Sequence, residues 1–183
     1  MLENESTLGE IFSESDMSEH RKQLKEIPLT KTKKYLEDIA FELEMESLGA
    51  PVMPDDIFAL YVELFEDISF CLKKGSYHFV ASLYSKVNKL SDSQKNQLLD
   101  IFVVNFSQYD GLDFRLWVCS FIAKCYSNET ALGVFESFAE KYEFDVIADV
   151  LVALETIMYR LKKEGLETQR AVLLYKKILQ KDA

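Results

Sequence analysis

The sequence is poor in the residues that form tight turns, with only 6 Gly and 3 Pro among 183 residues. A β-sandwich or a β-barrel needs many such turns, so this shortage argues against both folds. Large apolar residues are instead plentiful: there are 13 Phe and 9 Tyr, and apolar residues make up 48% of the chain. This composition predicts a chain that buries a sizeable core, and its length favours a single domain over residues 1–183.

The chain also lacks the signals of export and of membrane insertion. Residues 1–20 contain six carboxylates and no Lys or Arg, whereas a secretory signal peptide begins with basic residues. No apolar run reaches the roughly 18 residues that a membrane-spanning helix needs. Cys71, Cys119 and Cys125 form no CxxC motif and are interpreted as reduced, mostly buried thiols. These features predict a cytoplasmic protein that does not associate with a membrane.

Apolar residues recur at helical spacing along the chain, and the strict alternation that marks a β-strand never persists. Start and stop signals divide the chain into about eight or nine helices. Residues 1–29 are expected to form a more loosely packed N-terminal helix, and residues 30–183 the helical core. From Asp55 the apolar pattern continues without a break to Leu72, which predicts one helix that ends at Gly75. The candidate N-terminal caps are Thr7 with Glu10, Ser76, Ser91 with Gln94, and Ser127 or Asn128.

A weak internal repeat links three parts of the chain. Leu64–Ile68, Leu98–Phe102 and Val134–Phe138 share an apolar and acidic pattern, and they are separated by 34 and 36 residues. We expect each segment to begin a helix and to be followed by a second apolar helix. These second helices are predicted at residues 79–90, 114–126 and 147–161. Recurring helix pairs are typical of a HEAT-like α-solenoid, but an irregular helical bundle yields similar spacing. The sequence therefore predicts an all-α fold and leaves both architectures open.

Positive charge is missing from one long stretch of this acidic chain, whose net charge is −10. Between Tyr35 and Leu72 there is no Lys or Arg, so the carboxylates there have no i, i+4 partner within the stretch. The ten carboxylates are Glu37, Asp38, Glu42, Glu44, Glu46, Asp55, Asp56, Glu63, Glu66 and Asp67. Basic residues predominate on either side, over 21–34 and 73–95, and pairing with them in space is the alternative. The charge balance argues against nucleic-acid binding, which needs clustered Lys and Arg.

A concentrated negative field attracts a basic protein partner and speeds the encounter. Such partners include nucleic-acid-binding surfaces, on which carboxylates take the place of phosphates. If the helix pairs stack, Glu66, Asp100 and Glu136 form a row of carboxylates. The candidate partner-binding residues are Asp55, Asp56, Glu63, Glu66, Asp67, Asp100, Asp110 and Asp113. The candidate aromatic anchors, whose apolar neighbours favour core positions, are Tyr61, Tyr109 and Trp117.

No motif for catalysis or for a cofactor is present. The sequence contains no phosphate-binding loop, no GxGxxG, no HExxH and no GxSxG. Glu42, Glu44 and Glu46 alternate along the chain, so on a helix they spread over different faces instead of converging on a metal ion. We therefore predict a protein that is not an enzyme and that carries no cofactor or metal.

In its helix pairs and segregated acids the chain resembles the small all-helical immunity proteins of bacterial contact-dependent growth inhibition and other polymorphic toxin systems. The residues behind this resemblance are the repeats that start at Leu64, Leu98 and Val134, the acidic block 37–67, and the turn 110–113. The resemblance implies a cytoplasmic protein that binds a basic toxin domain, often a nuclease, and blocks its active-site cleft. The chain equally resembles HEAT-like repeat proteins in general, which imply a binding surface, so a helical adaptor or regulator is the alternative.

Overall fold

The computed structural model describes residues 21, 22, 24, 32–109 and 112–182. Within these residues the regular structure is entirely helical, which confirms the predicted all-α class. The α-helices are α1 (Thr32–Glu46), α2 (Asp55–Glu66), α3 (Ile68–Cys71), α4 (Tyr77–Ser85), α5 (Asp92–Asn105), α6 (Leu112–Cys125), α7 (Asn128–Lys141), α8 (Phe144–Ile147), α9 (Val150–Lys163) and α10 (Gln169–Leu179). Two 3₁₀ turns lie at Val87–Lys89 and Phe106–Gln108. The cap predicted at Thr7 and Glu10 lies outside the described residues.

The helices form two rows that pack on each other. In one row α4 lies between α1 and α6, and α6 in turn contacts α9. In the other row α2 contacts α5, and α7 contacts α10. Successive helices of the chain therefore alternate between the rows, and each helix packs on its neighbours in the stack. This is a solenoid-like arrangement, in which each pair buries its apolar sides against the next.

Aromatic side chains connect the rows through the core. The ring of Phe102 lies 5.3 Å from that of Phe65 on α2 and 5.7 Å from that of Phe121 on α6, between ring centroids. Phe106 stacks on Phe138 of α7 with centroids 4.0 Å apart. Each of these rings is fully buried, and buried aromatic rings dominate core energetics. The richness in Phe is thus used to fix successive helix pairs against one another.

The single helix predicted from Asp55 to Gly75 is wrong, because the chain breaks at Asp67. Asp67 Oδ1 accepts hydrogen bonds from the backbone amides of Ser69 at 2.9 Å and Phe70 at 3.3 Å. This side chain caps a new helix, α3, so α2 ends at Glu66. Gly75 still turns the chain: its φ is +99°, and a Cβ there would lie 2.9 Å from the Cα atom of Lys33.

The predicted N-terminal caps have mixed outcomes. Ser91 and Gln94 form the predicted capping box at the start of α5. Ser127 caps α7 by accepting a hydrogen bond from the Thr130 amide. The prediction for Ser76 is wrong, because its hydroxyl donates to the carbonyl of Cys71 at 2.8 Å instead of capping α4.

None of the repeat segments begins a helix, which corrects the prediction: two of them lie inside a helix, and Leu64–Ile68 crosses the end of α2. Leu98 and Val134 are the seventh residues of α5 and α7, whereas Leu64 is the tenth residue of α2. The second helices follow as predicted, as α4, α6 and α9. Among the residues that the structure describes, no helix combines the length and the hydropathy required of a bilayer-spanning segment.

Candidate acidic binding surface

Helix α2 carries four acidic side chains toward solvent: Asp55, Asp56, Glu63 and Glu66. At about 3.6 residues per turn these positions fall on one side of the helix, and all four residues are exposed. The opposite side is buried through Ile57, Phe58, Leu60, Tyr61, Leu64 and Phe65. The sequence of α2 contains no Lys or Arg. We call the four carboxylates the α2 acidic face.

The two ends of the α2 acidic face differ in their electrostatic environment. Asp55 and Asp56 lie in the first turn, where the helix dipole favours negative charge. The Ile57 amide also donates a hydrogen bond to an Asp56 carboxylate oxygen at 2.9 Å. Glu66 is the last residue of α2, where the dipole disfavours a carboxylate. Among the described residues, none of these three acids forms an ion pair, so their charge is available to a partner.

Glu63, the fourth acid of the face, is already paired. Arg21 Nη2 lies 3.0 Å from Glu63 Oε1, and Arg21 Nε lies 3.2 Å from Oε2. The guanidinium therefore binds both carboxylate oxygens, a geometry that gives well-oriented pairs. A cavity of about 190 Å³ lies beside the pair and is also lined by Leu24, Asp67 and Lys73. Glu63 is consequently less available to a partner than its position in the sequence suggests.

Asp67 is held by its role at the start of α3. Besides the two backbone amides, the Ser69 hydroxyl donates to Asp67 Oδ1 at 2.6 Å. The Ser69 hydroxyl, followed by the amides of Phe70 and Ser69, lowers the pKa of Asp67 against the opposing effect of burial. The carboxylate keeps its charge, but this oxygen is committed to the chain itself.

The remaining predicted residues are divided between the rows. Asp100 is exposed on α5, which packs against α2, so it adds a carboxylate to the same row. Asp113 is exposed in the first turn of α6, in the other row, where it interacts electrostatically with His78 and Asp149. Asp110 lies outside the described residues. The structure thus places Asp100 in the same row as the α2 acidic face and Asp113 in the other row.

The expected row of carboxylates is interrupted at α7. Arg170 of α10 binds the two oxygens of Glu136 at 2.7 Å each and Glu129 at 2.6 Å. Its hydrogen bonds lower the pKa of Glu136. Lys177 lies 3.8 Å from Glu140 on the same helix pair. The acids of α7 are therefore neutralised by the basic residues of α10, and the free acids concentrate at α2.

Two of the three aromatic anchor candidates are in the core. Tyr61 is buried and shares a hydrogen bond with the Ser82 hydroxyl at 2.9 Å. Tyr109 is also buried, and its hydroxyl donates to a backbone carbonyl of α2 at 3.4 Å. Trp117 is half-buried and packs edge-on against Tyr84 at 5.7 Å. Tyr61 and Tyr109 stabilise the interior, so they do not act as contacts for a partner.

An apolar contact that the sequence reasoning missed lies beside Asp100. Val104 is one turn further along α5 and is 70% exposed. In the sequence it belongs to the largely apolar run 101–106, so composition does not separate it from its buried neighbours. The available signal was its helical spacing from the polar residues Asn96 and Asp100, which mark the outer side of α5. An exposed apolar residue beside acids is what a partner can bury.

The reactive side chains are shielded from solvent. Cys71 and Cys119 are buried and Cys125 is half-buried, all with free thiols. Burial raises the pKa of Cys125 to about 12, and it also raises the pKa of Cys71 and that of Cys119. Across the part of the chain that the structure describes, no three His, Cys, Asp or Glu side chains are grouped to hold a metal ion.

The comparisons with known proteins place this chain in no family. No protein-family model, no curated protein and no solved structure matches it.

Proposed function

We propose that this protein acts in the cytoplasm as an immunity protein, which binds a basic toxin domain and keeps it inactive. The binding surface is the α2 acidic face together with Asp100 and Val104 of α5. The occupant is a cleft that binds nucleic acid, because its Lys and Arg are arranged for phosphates and accept carboxylates in their place. The observation that carries the proposal is the absence of any basic side chain on α2.

Charge and apolar area have separate roles in this surface. Asp55, Asp56 and Glu66 supply an unneutralised field, which raises the rate of encounter and is screened by salt. Val104 supplies area that excludes water once the partner has docked. Fields of this kind change association rates more than they change dissociation rates.

The test measures association kinetics with a basic toxin domain. The probe is the purified C-terminal domain of the large toxin encoded directly upstream, and the measurement is stopped-flow association at low and high salt. The combined substitutions Asp55→Lys, Asp56→Lys and Glu66→Lys are expected to slow association at low salt by about tenfold or more. They are also expected to flatten its salt dependence, because the attractive field is gone.

The matched control reverses three exposed acids elsewhere: Glu143→Lys, Glu164→Lys and Glu167→Lys. It changes the net charge by the same amount and is expected to leave most of the rate intact. Equal slowing by both variants would show that net charge alone matters and would contradict the proposed surface. Absence of such an upstream gene, or binding that fails to restore growth of toxin-expressing cells, would exclude toxin immunity and leave the adaptor alternative.

A further inference from the structure

The outward side of α1 carries an apolar stripe. Phe41 and Met45 lie one turn apart on α1, and Leu48 follows three residues after Met45 in the turn beyond the end of the helix at Glu46. All three are exposed, Phe41 to 59%. Among the described helices α1 is the first of its row, and it packs on α4 from one side. Terminal units of solenoids normally present a polar outer surface, and here the end of the row is apolar.

Acidic side chains border this α1 stripe on both sides. At about 100° per residue, Glu37 lies on one side of Phe41 and Glu42 on the other. Neither carboxylate forms an ion pair with a described residue. Asp38 is compensated by Lys34, whose ammonium lies 2.7 Å away at the beginning of the helix. The stripe therefore fits an occupant that is apolar at its centre and basic at its edges.

The other end of the stack has the opposite charge. Residues 160–182 contain seven basic and three acidic residues. On α10, Leu173 is 59% exposed, and Lys176 and Lys177 lie on either side of it at helical spacing. Lys176 forms no ion pair with a described residue, whereas Lys177 forms an ion pair with Glu140 at 3.8 Å. We call Leu173, Lys176 and Lys177 the α10 face.

We infer that the α10 face of a second copy of this chain docks on the α1 stripe, so that the protein associates head to tail. Leu173 then packs against Phe41 and Met45, and the two lysines approach Glu37 and Glu42. The two surfaces are different, so the contact is heterologous, and a pair keeps one free α1 stripe and one free α10 face. The acids involved are separate from the α2 acidic face, so the inference does not depend on the proposed function.

Charge distinguishes a second copy from residues 1–20 of the same chain as the occupant. Residues 1–20 contain six carboxylates and no Lys or Arg, so the acidic borders of the stripe repel them. A contact between two single helices buries less than the roughly 1,200 Å² of a standard stable interface. We therefore expect weak association, with a dissociation constant on the order of 10–100 µM, which weakens as salt screens the paired charges.

The test is sedimentation equilibrium of the full chain over a range of concentrations at low and high salt. The wild-type protein is expected to show a weight-average mass that rises with concentration and falls with salt. Two variants remove one surface each: Glu37→Lys with Glu42→Lys, and Lys176→Glu with Lys177→Glu. Each variant alone is expected to stay at the monomer mass, because its two surfaces now carry the same sign of charge.

An equal mixture of the two variants is expected to regain the concentration dependence, since each variant carries the charge that the other needs. Asp55→Lys with Asp56→Lys is the matched control for Glu37→Lys with Glu42→Lys, because both change the net charge by the same amount, and it is expected to associate like the wild type. Circular dichroism establishes that every variant is folded. A wild type that stays monomeric at all concentrations, a mixture that does not recover, or one variant that still associates alone would each overturn the inference.

Discussion

Helices α2 and α7 lie in the same row and carry four and three carboxylates, but these acids meet different surroundings. On α7, Arg170 binds both Glu129 and Glu136. On α2, Glu63 meets Arg21, while its other three acids meet no basic side chain among the described residues. The two helices carry a similar number of acids. We therefore attribute the difference in pairing to the groups that the nearby basic residues bind.

Near α2 a lysine binds main-chain oxygens instead of carboxylates. Lys89 Nζ lies 2.7, 2.8 and 2.7 Å from the carbonyl oxygens of Ser47, Leu48 and Ala50, just after α1. The end of a helix carries unpaired carbonyls and a partial negative charge, so it competes with acids for a cation. Closeness of acids and bases in the sequence therefore does not predict that they pair.

Basic residues that bind the ends of neighbouring helices recur with the spacing of the internal repeat. Lys89, Lys124 and Arg160 are separated by 35 and 36 residues. Lys124 donates to the Tyr84 carbonyl at 2.9 Å near the end of α4, and Arg160 binds the side chain of Asn128 at the start of α7. Basic residues at this repeat position thus join neighbouring helices of the stack, and they are unavailable to the free acids.

The largest expected effect comes from removing Lys89, which binds the carbonyl oxygens after α1 instead of the carboxylates of the first helices. Lys89→Met keeps an apolar side chain of similar length but leaves three carbonyl oxygens without their donor. We expect the free energy of unfolding to fall by about 2 kcal/mol, the range for hydrogen bonds to a charged group. Urea unfolding monitored by circular dichroism measures this change.

Lys74→Met is the control for Lys89→Met, because Lys74 is exposed and forms no hydrogen bond or ion pair with a described residue. It should leave the free energy of unfolding within about 0.5 kcal/mol of that of the wild type. If both lysine variants unfold at the same urea concentration, Lys89 does not stabilise the end of α1. The explanation for the unpaired acids would then fail as well.

The all-α fold class could be predicted from the helical periodicity of the apolar residues, but the positions at which helices break could not. The pattern S-x-x-Q at Ser91 and Gln94 predicts a helix start because a capping box needs only local residues. The break at Asp67 could not be predicted, since apolar spacing continues across it through Phe65 and Ile68. Whether an aspartate caps a new helix or extends the old one depends on the packing of α3, which is set by tertiary contacts.

The free surface was predictable only in part. An acidic stretch without bases follows directly from the sequence, and Asp55, Asp56 and Glu66 are exposed as predicted. The partners of Glu63 and Glu136 lie 42 and 34 residues away, so these pairs depend on which helices stack. Local spacing cannot contain that information.

The second-largest change in stability is expected at α7, where Arg170 pairs with the acids. Arg170→Gln removes the charge that binds Glu129 and Glu136, so α7 would come to resemble α2. Because the guanidinium is 40% exposed, we expect a loss of about 1 kcal/mol at neutral pH. Arg170 holds the pKa of Glu136 below its ordinary value of 4.5, so this stabilisation exists above that pH.

The pH dependence of Arg170→Gln provides its own check. As the pH falls below 4.5 and through the lowered pKa of Glu136, the carboxylate is protonated and the pair is lost in the wild type too. The difference in unfolding free energy between wild type and variant should therefore shrink on acidification. A difference that stays constant from neutral to acidic pH would show that Arg170 acts through packing rather than through charge.

The smallest effect distinguishes the two ends of the α2 acidic face. Glu66→Gln removes a charge that the helix dipole disfavours, so we expect the free energy of unfolding to rise by about 0.3 kcal/mol. Asp55→Asn removes a charge that the dipole favours and should lower it by a similar amount. Thermal unfolding at low salt measures both variants, and salt should reduce both differences because the charges are exposed.

If Glu66→Gln is instead destabilising by more than about 1 kcal/mol, Glu66 has a stabilising partner in the chain. It would then belong with the paired acids of α7, and the contrast between the two helices would be lost.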